Sequence, residues 1–372
     1  MGGASNPEGP VAGRIASFDT LRGFDMVWIT GGEEVIHALC KSLPGPLTEA
    51  LDRQFHHVHW QGFHFYDLIF PLFLFVVGVV LPFSLTRRLE KGARRAELYT
   101  HTVRRLVLLF FLGLVYNGLL DFNFHQLRLA GVLQRIAVCY FLAALVVMNT
   151  TVRQQAYLTG GILVVYFLIL RLVPVPGIGA YVLTPEGNLG GYLDRHLLPR
   201  PFCCNAFGDA EGFLSTIPAV ATTLLGVLAG HWLRSNHSPQ RKAAGLAGAG
   251  VACLALGALW GIWFPIIKYL WTSTYVLFAG GWSLLLLALF YWIIDVRGFQ
   301  RWAFFFRVIG LNAITIYVVW RFFDFGIITR VFVHGFIDYL GPLAPAFYAL
   351  SVLATAWAFL WFLYRQKIFL KV

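Results

Sequence analysis

Long apolar runs separated by short polar segments occupy most of the chain. A helix needs about 20 apolar residues to cross the roughly 30 Å hydrocarbon core of a bilayer. Runs such as Phe70–Val80 are apolar on every side, whereas strands of a membrane β-barrel alternate apolar and polar positions. The pattern therefore predicts an all-α, polytopic transmembrane helix bundle of about ten spans. The predicted spans are 19–40, 65–85, 103–120, 129–149, 155–173, 213–233, 243–264, 269–293, 303–323 and 344–364.

The composition agrees with a membrane protein and excludes a soluble or disordered one. Hydrophobic residues make up 58% of the 372 residues, and charged residues make up only 13%. Soluble globular chains carry about 25% charged residues, roughly twice as many. The net charge of +11 does not indicate nucleic-acid binding, because the basic residues lie between apolar runs rather than on one soluble face.

The distribution of Lys and Arg between alternate loops predicts the orientation. With both termini cytoplasmic, seventeen basic residues fall on inner segments and seven on outer ones. Basic residues favour the cytoplasmic side of a membrane, so this orientation is preferred. We predict a cytoplasmic segment at 1–18 and a single transmembrane domain at 19–372, with an extracytoplasmic loop at about 174–212.

A His-rich segment just before the second predicted span carries the densest set of chemically capable side chains. Four of the eleven His residues, His56, His57, His59 and His64, precede Asp67 there. Imidazole suits proton transfer near neutral pH and can accept an acyl group, and a carboxylate can orient it. The H-x-H spacing also suits zinc, and packing at the membrane interface is a third interpretation. Because no companion set of acids or thiols stands out, we expect no metal.

Ionisable and amide side chains inside predicted spans are costly and are therefore functional candidates. Arg22 and Asp25 are spaced i, i+3 in the first span and can form an ion pair. Arg135, near the outer end of the fourth span, is expected to face a polar cavity or a buried acid. Asn312 in the ninth span can hold a ligand or bond to a neighbouring helix.

Polar and aromatic side chains at the outer ends of several spans predict a pocket for a sugar or another hydroxylated ligand. The principal members of this set are Asn117, Asp209, Glu211, Lys268 and Trp271. On the inner side, seven basic residues occur between Arg87 and Arg105. These basic residues have two interpretations. They only determine the orientation of the protein in the membrane, or they bind a polyanion such as coenzyme A, whose phosphates form strong hydrogen bonds with Arg.

Ordered motifs through nearly the whole chain resemble the heparan-α-glucosaminide N-acetyltransferase family and its bacterial relatives. The first are Arg14-Ile-Ala-Ser-Phe-Asp-Thr-Leu-Arg-Gly23, His57-Val-His-Trp-Gln-Gly62 and Asp67-Leu-Ile-Phe-Pro-Leu-Phe-Leu-Phe75. The others are Gly131-Val-Leu-Gln-Arg-Ile136, Gly191-Tyr-Leu-Asp-Arg195, Asp209-Ala-Glu-Gly212, Lys268-Tyr-Leu-Trp-Thr-Ser-Thr-Tyr275, Asp295-Val-Arg-Gly298 and Gly310-Leu-Asn312.

This resemblance implies an integral membrane acetyltransferase. Family members take an acetyl group from cytosolic acetyl-CoA and deliver it to a glucosamine amine on the far side of the membrane. The acetyl-CoA is a co-substrate, the acceptor is an amino sugar or glycan, and no nucleic acid is involved. The resemblance also implies a homodimer.

The resemblance places the family's active-site His on His57. Combined with the pattern of charged and polar residues, it leads us to predict that Asp67 orients His57. The residues that we predict to bind the acceptor or line the transfer path are Asn117, Arg135, Asp209, Glu211, Lys268, Trp271 and Asn312. The residues that we predict to bind coenzyme A are Arg22, Asp25, Arg87, Arg88, Arg104 and Arg105.

Departures from the family pattern affect the expected acceptor. Thr30 stands where the family has Asn before the paired glycines, and Ala210 replaces a frequent Pro. The extra luminal domain of the animal enzyme is absent, which implies a bacterial-type protein of the plasma membrane whose acceptor need not be heparan sulfate. The alternatives are a transporter or glycan flippase without covalent chemistry, and a structural subunit that anchors partners.

Overall fold

The computed structural model describes residues 15–199, 201–203 and 206–370, and it is an all-α helix bundle. In this part of the chain, extended backbone pairs only at two isolated bridges, Gln61 with Ile267 and Val175 with Gly179. The helices are α1 Ala16–Val27, α2 Glu33–Ser42, α3 Pro46–Gln54, α4 Ile69–Leu81, α5 Arg87–Glu90, α6 Arg95–Tyr116, α7 Val132–Asn149, α8 Val152–Leu172, α9 Leu189–Leu197, α10 Thr216–Arg234, α11 Pro239–Trp260, α12 Ser273–Phe290, α13 Ala303–Leu311, α14 Ala313–Phe322, α15 Phe325–Ile337 and α16 Ala344–Arg365.

Eight helical segments of the described chain are long and apolar enough to cross a membrane, which confirms the polytopic bundle. A ninth span is formed if α13 and α14, which are bent by 72° at Asn312, are taken together. The eight segments are Phe65–Glu90, Arg95–Tyr116, Val132–Asn149, Val152–Leu172, Thr216–Arg234, Pro239–Trp260, Ser273–Val296 and Phe325–Arg365.

The first predicted span, 19–40, differs from the expectation because the helix breaks. Thr30 and Gly31 leave helical geometry between α1 and α2, and Gly31 has a φ of 102°. Glycine adopts this left-handed backbone region at little cost, so the Gly31-Gly32 pair permits the break. The break leaves two helices of 12 and 10 residues, each too short to cross the hydrocarbon core.

The sequence pattern also missed α15. Gly341, with a φ of 51°, interrupts the last helical segment, and α15 and α16 fold back against each other. The hydroxyls of Thr329 and Thr355 hydrogen-bond across this contact at 2.9 Å. The final span is therefore preceded by a short membrane-depth helix rather than by a loop.

Close backbone contacts at glycines hold the centre of the bundle together. A Cβ atom added to Gly78 of α4 would lie 1.9 Å from the carbonyl oxygen of Thr223 in α10. One added to Gly310 of α13 would lie 1.8 Å from the carbonyl oxygen of Asp19 in α1. Small residues let membrane helices approach closely and gain packing energy. α4 therefore packs closely against α10, and α1 packs closely against α13.

The segment Phe65–Glu90 places the two candidate regions at opposite ends of the bundle. It has 26 residues, a length of about 39 Å at 1.5 Å per residue. Asp67 and the His-rich loop lie at its beginning, and Arg87 and Arg88 lie at its end. This separation matches the full thickness of a bilayer.

Candidate active site

A loop between α3 and the 3₁₀ turn Phe65–Leu68 carries the candidate catalytic His. The loop is attached to the segment before α12, because the amide of Gly62 donates to the carbonyl of Ile266 at 2.9 Å. Next to this bond, the Trp60 ring stacks on Tyr269 with 5.5 Å between ring centroids. These contacts bring Lys268 to the His-rich loop from a position about two hundred residues away in sequence.

His57, Asp67 and Lys268 form a compact charged cluster. His57 Nδ1 lies 2.9 Å from Asp67 Oδ1, and Lys268 Nζ lies 3.3 Å from the same oxygen. The other Asp67 oxygen accepts hydrogen bonds from the amides of Val58 and His64 at 3.3 and 3.0 Å. The predicted His57–Asp67 contact is therefore present, and the completely buried Asp67 side chain is held by the backbone of the loop it orients.

The donor and acceptor rules assign the proton on the His57 ring. An ionised carboxylate only accepts hydrogen bonds, so Nδ1–H of His57 donates to Asp67. Nε2 is then the ring atom that carries the lone pair. Lys268 Nζ lies 2.9 Å from Nδ1 and 3.3 Å from Nε2, so the ammonium group lies beside both ring nitrogens. The His57 side chain is 45% exposed, so a reactant can reach the ring.

Lys268 lies in a low-dielectric environment. Burial lowers the pKa of its ammonium group, and the negative charge of Asp67 opposes part of that shift. A cation held 3.3 Å from the reactive nitrogen can stabilise negative charge that develops on a carbonyl oxygen under attack.

His57 and Lys268 line a cavity of about 260 Å³ at their end of the bundle. Tyr66 and Glu211 supply further polar groups, and the Tyr66 ring lies 4.8 Å from the His57 ring. The other walls are mainly apolar and aromatic side chains, namely Met26, Ile29, Ile69, Phe70, Phe73, Tyr116, Val132, Leu133, Ile136, Ala313, Ile314 and Tyr317. Ligand sites combine an apolar wall with few polar groups in this way.

A second cavity of about 480 Å³ approaches from the opposite, basic end of the bundle. Three guanidinium groups line it, those of Arg22, Arg105 and Arg307. The two cavities lie next to each other inside the bundle, because Phe73, Ile136, Ala313 and Ile314 line both of them. An arginine-lined space and a His-containing space thus adjoin across the protein.

Arg128 organises the acidic residues beside the His57 cavity. It donates to Asp209 from Nε and Nη2 at 2.7 and 2.5 Å, and also bonds to Glu211. Burial disfavours its charge, but the two carboxylates outweigh burial and raise the pKa of Arg128 above its ordinary value. Burial likewise opposes the charge of Asp209, yet the bond from Arg128 lowers the Asp209 pKa. Both oxygens of Asp209 therefore accept hydrogen bonds from Arg128. Glu211 also bonds to Arg128, but in addition it lines the cavity of His57.

Other residues predicted to bind substrate have structural contacts. Arg135 is buried without an ion pair to an acid; its Nη2 donates to the carbonyl of Gly212 at 3.2 Å, and its guanidinium lies over the Trp271 ring. Asn117 donates to two carbonyls of the following loop. Asn312 lies at the α13–α14 break with an unbonded Nδ2. These residues, Trp271 included, are not among the lining residues of the two cavities, so their proposed ligand contacts stay predictions.

The predicted Arg22–Asp25 pair is wrong. Arg22 pairs with Asp19 at 3.8 Å, and neither carboxylate oxygen of the fully buried Asp25 has a hydrogen-bond partner. Both acids are three residues from Arg22, and packing of α1 turns Asp25 into the bundle.

Of the residues predicted to bind coenzyme A, Asp25 is fully buried and does not line the basic cavity, and the five arginines divide into two groups. Arg22 and Arg105 line the basic cavity, whereas Arg87, Arg88 and Arg104 have exposed side chains outside its walls. Arg307, which also lines the cavity, was not predicted. Arg307 could have been recognised in the sequence, because it is a basic residue inside an apolar run. The same criterion identified Arg135 as a candidate.

One potential metal-binding group occurs among residues 15–199, 201–203 and 206–370. It comprises His37 of α2, Asp52 of α3 and His56 of the loop, whose ligand atoms lie within 4.8 Å of one another. The H-x-H spacing considered from the sequence pointed to different His pairs. His37 was missed because it lies 15 residues before Asp52, and only folding brings the two together.

Comparison with known proteins supports the resemblance noted in the sequence motifs. Residues 14–260 match a family model described as heparan-alpha-glucosaminide N-acetyltransferase, catalytic. The mouse heparan-alpha-glucosaminide N-acetyltransferase is 29% identical over 321 residues, which cover 71% of this chain and 48% of the relative. The human protein of the same name is 27% identical over 325 residues, covering 73% and 49%. The chain spans about half the length of these curated relatives.

Proposed function

Because the chain belongs to the heparan-α-glucosaminide N-acetyltransferase family, we propose that it is an integral membrane acetyltransferase. It moves an acetyl group from cytosolic acetyl-CoA to the amine of an amino sugar at the extracytoplasmic face. The observation that supports this proposal is that the arginine-lined cavity and the cavity of His57 lie on either side of one thin wall, formed by Phe73, Ile136, Ala313 and Ile314. A donor and an acceptor that approach from opposite sides of a membrane can meet where only such a wall of side chains separates them.

The basic cavity suits the donor. Guanidinium groups bind phosphates through paired hydrogen bonds, and Arg22, Arg105 and Arg307 provide three of them. The shared wall of Phe73, Ile136, Ala313 and Ile314 is apolar, as required for the extended pantetheine arm. The nucleotide then remains at the cytoplasmic end while the thioester approaches His57.

The charged cluster provides the chemistry. In one route, the neutral acceptor amine attacks the thioester carbonyl while Nε2 of His57 accepts its proton; the C–S bond then breaks, and the imidazolium returns the proton to the leaving thiolate. In the other, Nε2 attacks the carbonyl, the C–S bond breaks, and the thiolate takes up a proton from solvent; the neutral amine then attacks the acetyl-imidazolium, loses its own proton to solvent and frees the imidazole. In both routes Asp67 stabilises the positive ring and Lys268 stabilises the carbonyl oxyanion.

The acceptor is recognised at the His57 end of the bundle. Glu211 lines the cavity and can attract an acceptor ammonium group. Tyr116 and Tyr317 stack with 4.7 Å between centroids at the same cavity and offer aromatic faces for a sugar ring. An amino sugar combines the cation and the apolar ring face that these groups fit.

The test of the proposed function is acetyl-CoA turnover by the purified protein in nanodiscs. We expect acceptor-dependent release of coenzyme A with glucosamine as the trial amine, measured by thiol titration, together with mass-spectrometric detection of N-acetylglucosamine. Release of neither product from several amino sugars, with no binding of coenzyme A, would overturn the proposal. Movement of a solute without thioester consumption would instead favour a transporter.

Arg307→Gln is expected to weaken acetyl-CoA use without removing catalysis. Hydrogen bonds to charged groups contribute about 1.5–3 kcal/mol, so the KM for acetyl-CoA should rise about 10- to 150-fold with a smaller change in kcat. Initial rates at varied acetyl-CoA concentration measure both constants. Arg104→Gln is the matched control, because Arg104 is an exposed cation outside the cavity. An unchanged KM in Arg307→Gln would remove Arg307 from the donor site.

A further inference from the structure

We propose that the chain binds one divalent transition-metal ion of the Zn²⁺ class through His37, Asp52 and His56. These side chains come from α2, the end of α3 and the loop that precedes His57. Two imidazoles and one carboxylate form a recognised zinc ligand set, with a fourth position open to water. The site is separate from the cluster of His57, Asp67 and Lys268.

The distances between the ligand atoms suit a tetrahedral ion. Zinc bonds of about 2.1 Å place neighbouring ligand atoms about 3.4 Å apart in a tetrahedral site. His56 Nδ1 lies 3.5 Å from Asp52 Oδ2, and His37 Nδ1 lies 2.7 Å from Asp52 Oδ1. His56 Nδ1 also donates to the backbone carbonyl of Asp52 at 2.9 Å, so an ion bound at this nitrogen replaces that hydrogen bond. The second pair needs to open by less than about 1 Å, because the metal replaces the proton shared between the two atoms.

The outer nitrogen of His37 has the support that metal-binding imidazoles usually have. Its Nε2 lies 3.4 Å from Glu33 Oε1, while Nδ1 faces Asp52. A carboxylate that accepts the second ring N–H fixes the orientation of the imidazole and raises its basicity toward the ion. This arrangement is independent of the three ligands and favours a metal site over a chance group of polar side chains.

The packing of α3 gives the ion a structural purpose. None of the nine residues of α3 is buried, and only Cys40 is buried in α2. With so little apolar burial, these helices gain little packing energy, and a metal crosslink can hold them together. The His56 side chain is 60% exposed, so the ion can enter from solvent.

The site is connected to the candidate catalytic residue through the backbone of the His-rich loop. His56 precedes His57 directly in the chain, and its carbonyl accepts a hydrogen bond from His64 Nδ1 at 2.8 Å. A bound ion therefore orders the loop that positions His57, without contacting the reactants.

Metal titration of the untagged, chelator-treated protein tests the site directly. We expect calorimetry to show one Zn²⁺ per chain, and Co²⁺ to give the visible absorption of a four- or five-coordinate nitrogen–oxygen site. Loss of an outer partner alone weakens metal affinity by about 10- to 100-fold, so Glu33→Gln should fall in that range, and His37→Ala and His56→Ala should exceed it. Zn²⁺ should raise the melting temperature of the unmodified protein and not that of His56→Ala.

His59→Ala is the matched control, because His59 is exposed in the same loop and outside the three-residue group. It should bind Zn²⁺ as the unmodified protein does. The exposed His56 is the more informative variant if His37→Ala fails to fold. Absence of stoichiometric binding, or equal loss of affinity in His59→Ala and His56→Ala, would overturn the proposal. These measurements use no acetyl transfer, so they are independent of the proposed enzymatic function.

Discussion

His57→Ala is expected to lower acetyl transfer by about 100- to 10,000-fold, the range that a positioned general acid–base group contributes. The His57 side chain is 45% exposed, whereas that of its partner Asp67 is completely buried. Removal of the imidazole therefore removes the proton acceptor in one route and the acetyl carrier in the other. Coenzyme A release with a saturating amino-sugar acceptor measures the effect.

The matched control for His57→Ala is His59→Ala, which removes an imidazole from the same loop without touching Asp67 or Lys268. It should retain turnover close to that of the unmodified protein. His57→Ala should still elute as a folded protein and bind coenzyme A, because the arginines of the donor cavity are unchanged. Near-normal turnover in His57→Ala would exclude His57 from both routes.

Asp67→Asn is expected to lower turnover by at least about 100-fold, with an upper range near the 10,000-fold loss seen when the Asp of a catalytic triad becomes Asn. Asp67 accepts from His57 Nδ1–H and from two backbone amides. An Asn side chain has one oxygen, so it cannot serve both sets of donors. Asp67→Asn therefore has one of two effects. Either the His57 ring adopts the other tautomer, or the loop loses the hydrogen bonds from the amides of Val58 and His64.

Steady-state kinetics of Asp67→Asn distinguish a loss of His57 orientation, which lowers kcat, from a loss of acetyl-CoA binding, which raises KM. We expect a large fall in kcat with a small change in the KM for acetyl-CoA, since Asp67 is not among the residues that line the basic cavity. Glu49→Gln is the control, because Glu49 is an exposed acid on α3. If Asp67→Asn and Glu49→Gln have equal kcat values, Asp67 does not orient His57.

Features that depend on neighbouring residues were predictable from the sequence. Each of the eight candidate spans in the described part of the chain overlaps a predicted apolar run, although the run 344–364 covers only α16 of the segment Phe325–Arg365. This agreement arises because membrane insertion depends on local hydropathy. The His57–Asp67 contact was also predictable, since only ten residues separate the two side chains. Lys268 was placed at the same outer level by the alternation of spans, although its contact with His57 was not predicted.

Features that depend on helix rotation were not predictable in the same way. Arg22 has an acid three residues away on each side, and spacing alone does not distinguish Asp19 from Asp25. Helix packing determines which of the two acids pairs with Arg22. Gly310 of α13 packs against the backbone of α1 at Asp19, and the Asp25 side chain is buried inside the bundle. The break at Gly31 was missed for a related reason, since its glycine pair is compatible with either a helix or a kink.

The sequence by itself determined the membrane class, the helical architecture and the His-rich loop with its orienting acid. These properties arise from hydropathy and from contacts between residues near each other in the chain. Only the tertiary structure decided that Arg22, Arg105 and Arg307 share one cavity, that this cavity adjoins that of His57, and that His37 lies beside Asp52 and His56. These groupings depend on which helix faces pack together, and close contacts such as that of Gly78 with α10 rather than hydropathy determine the packing.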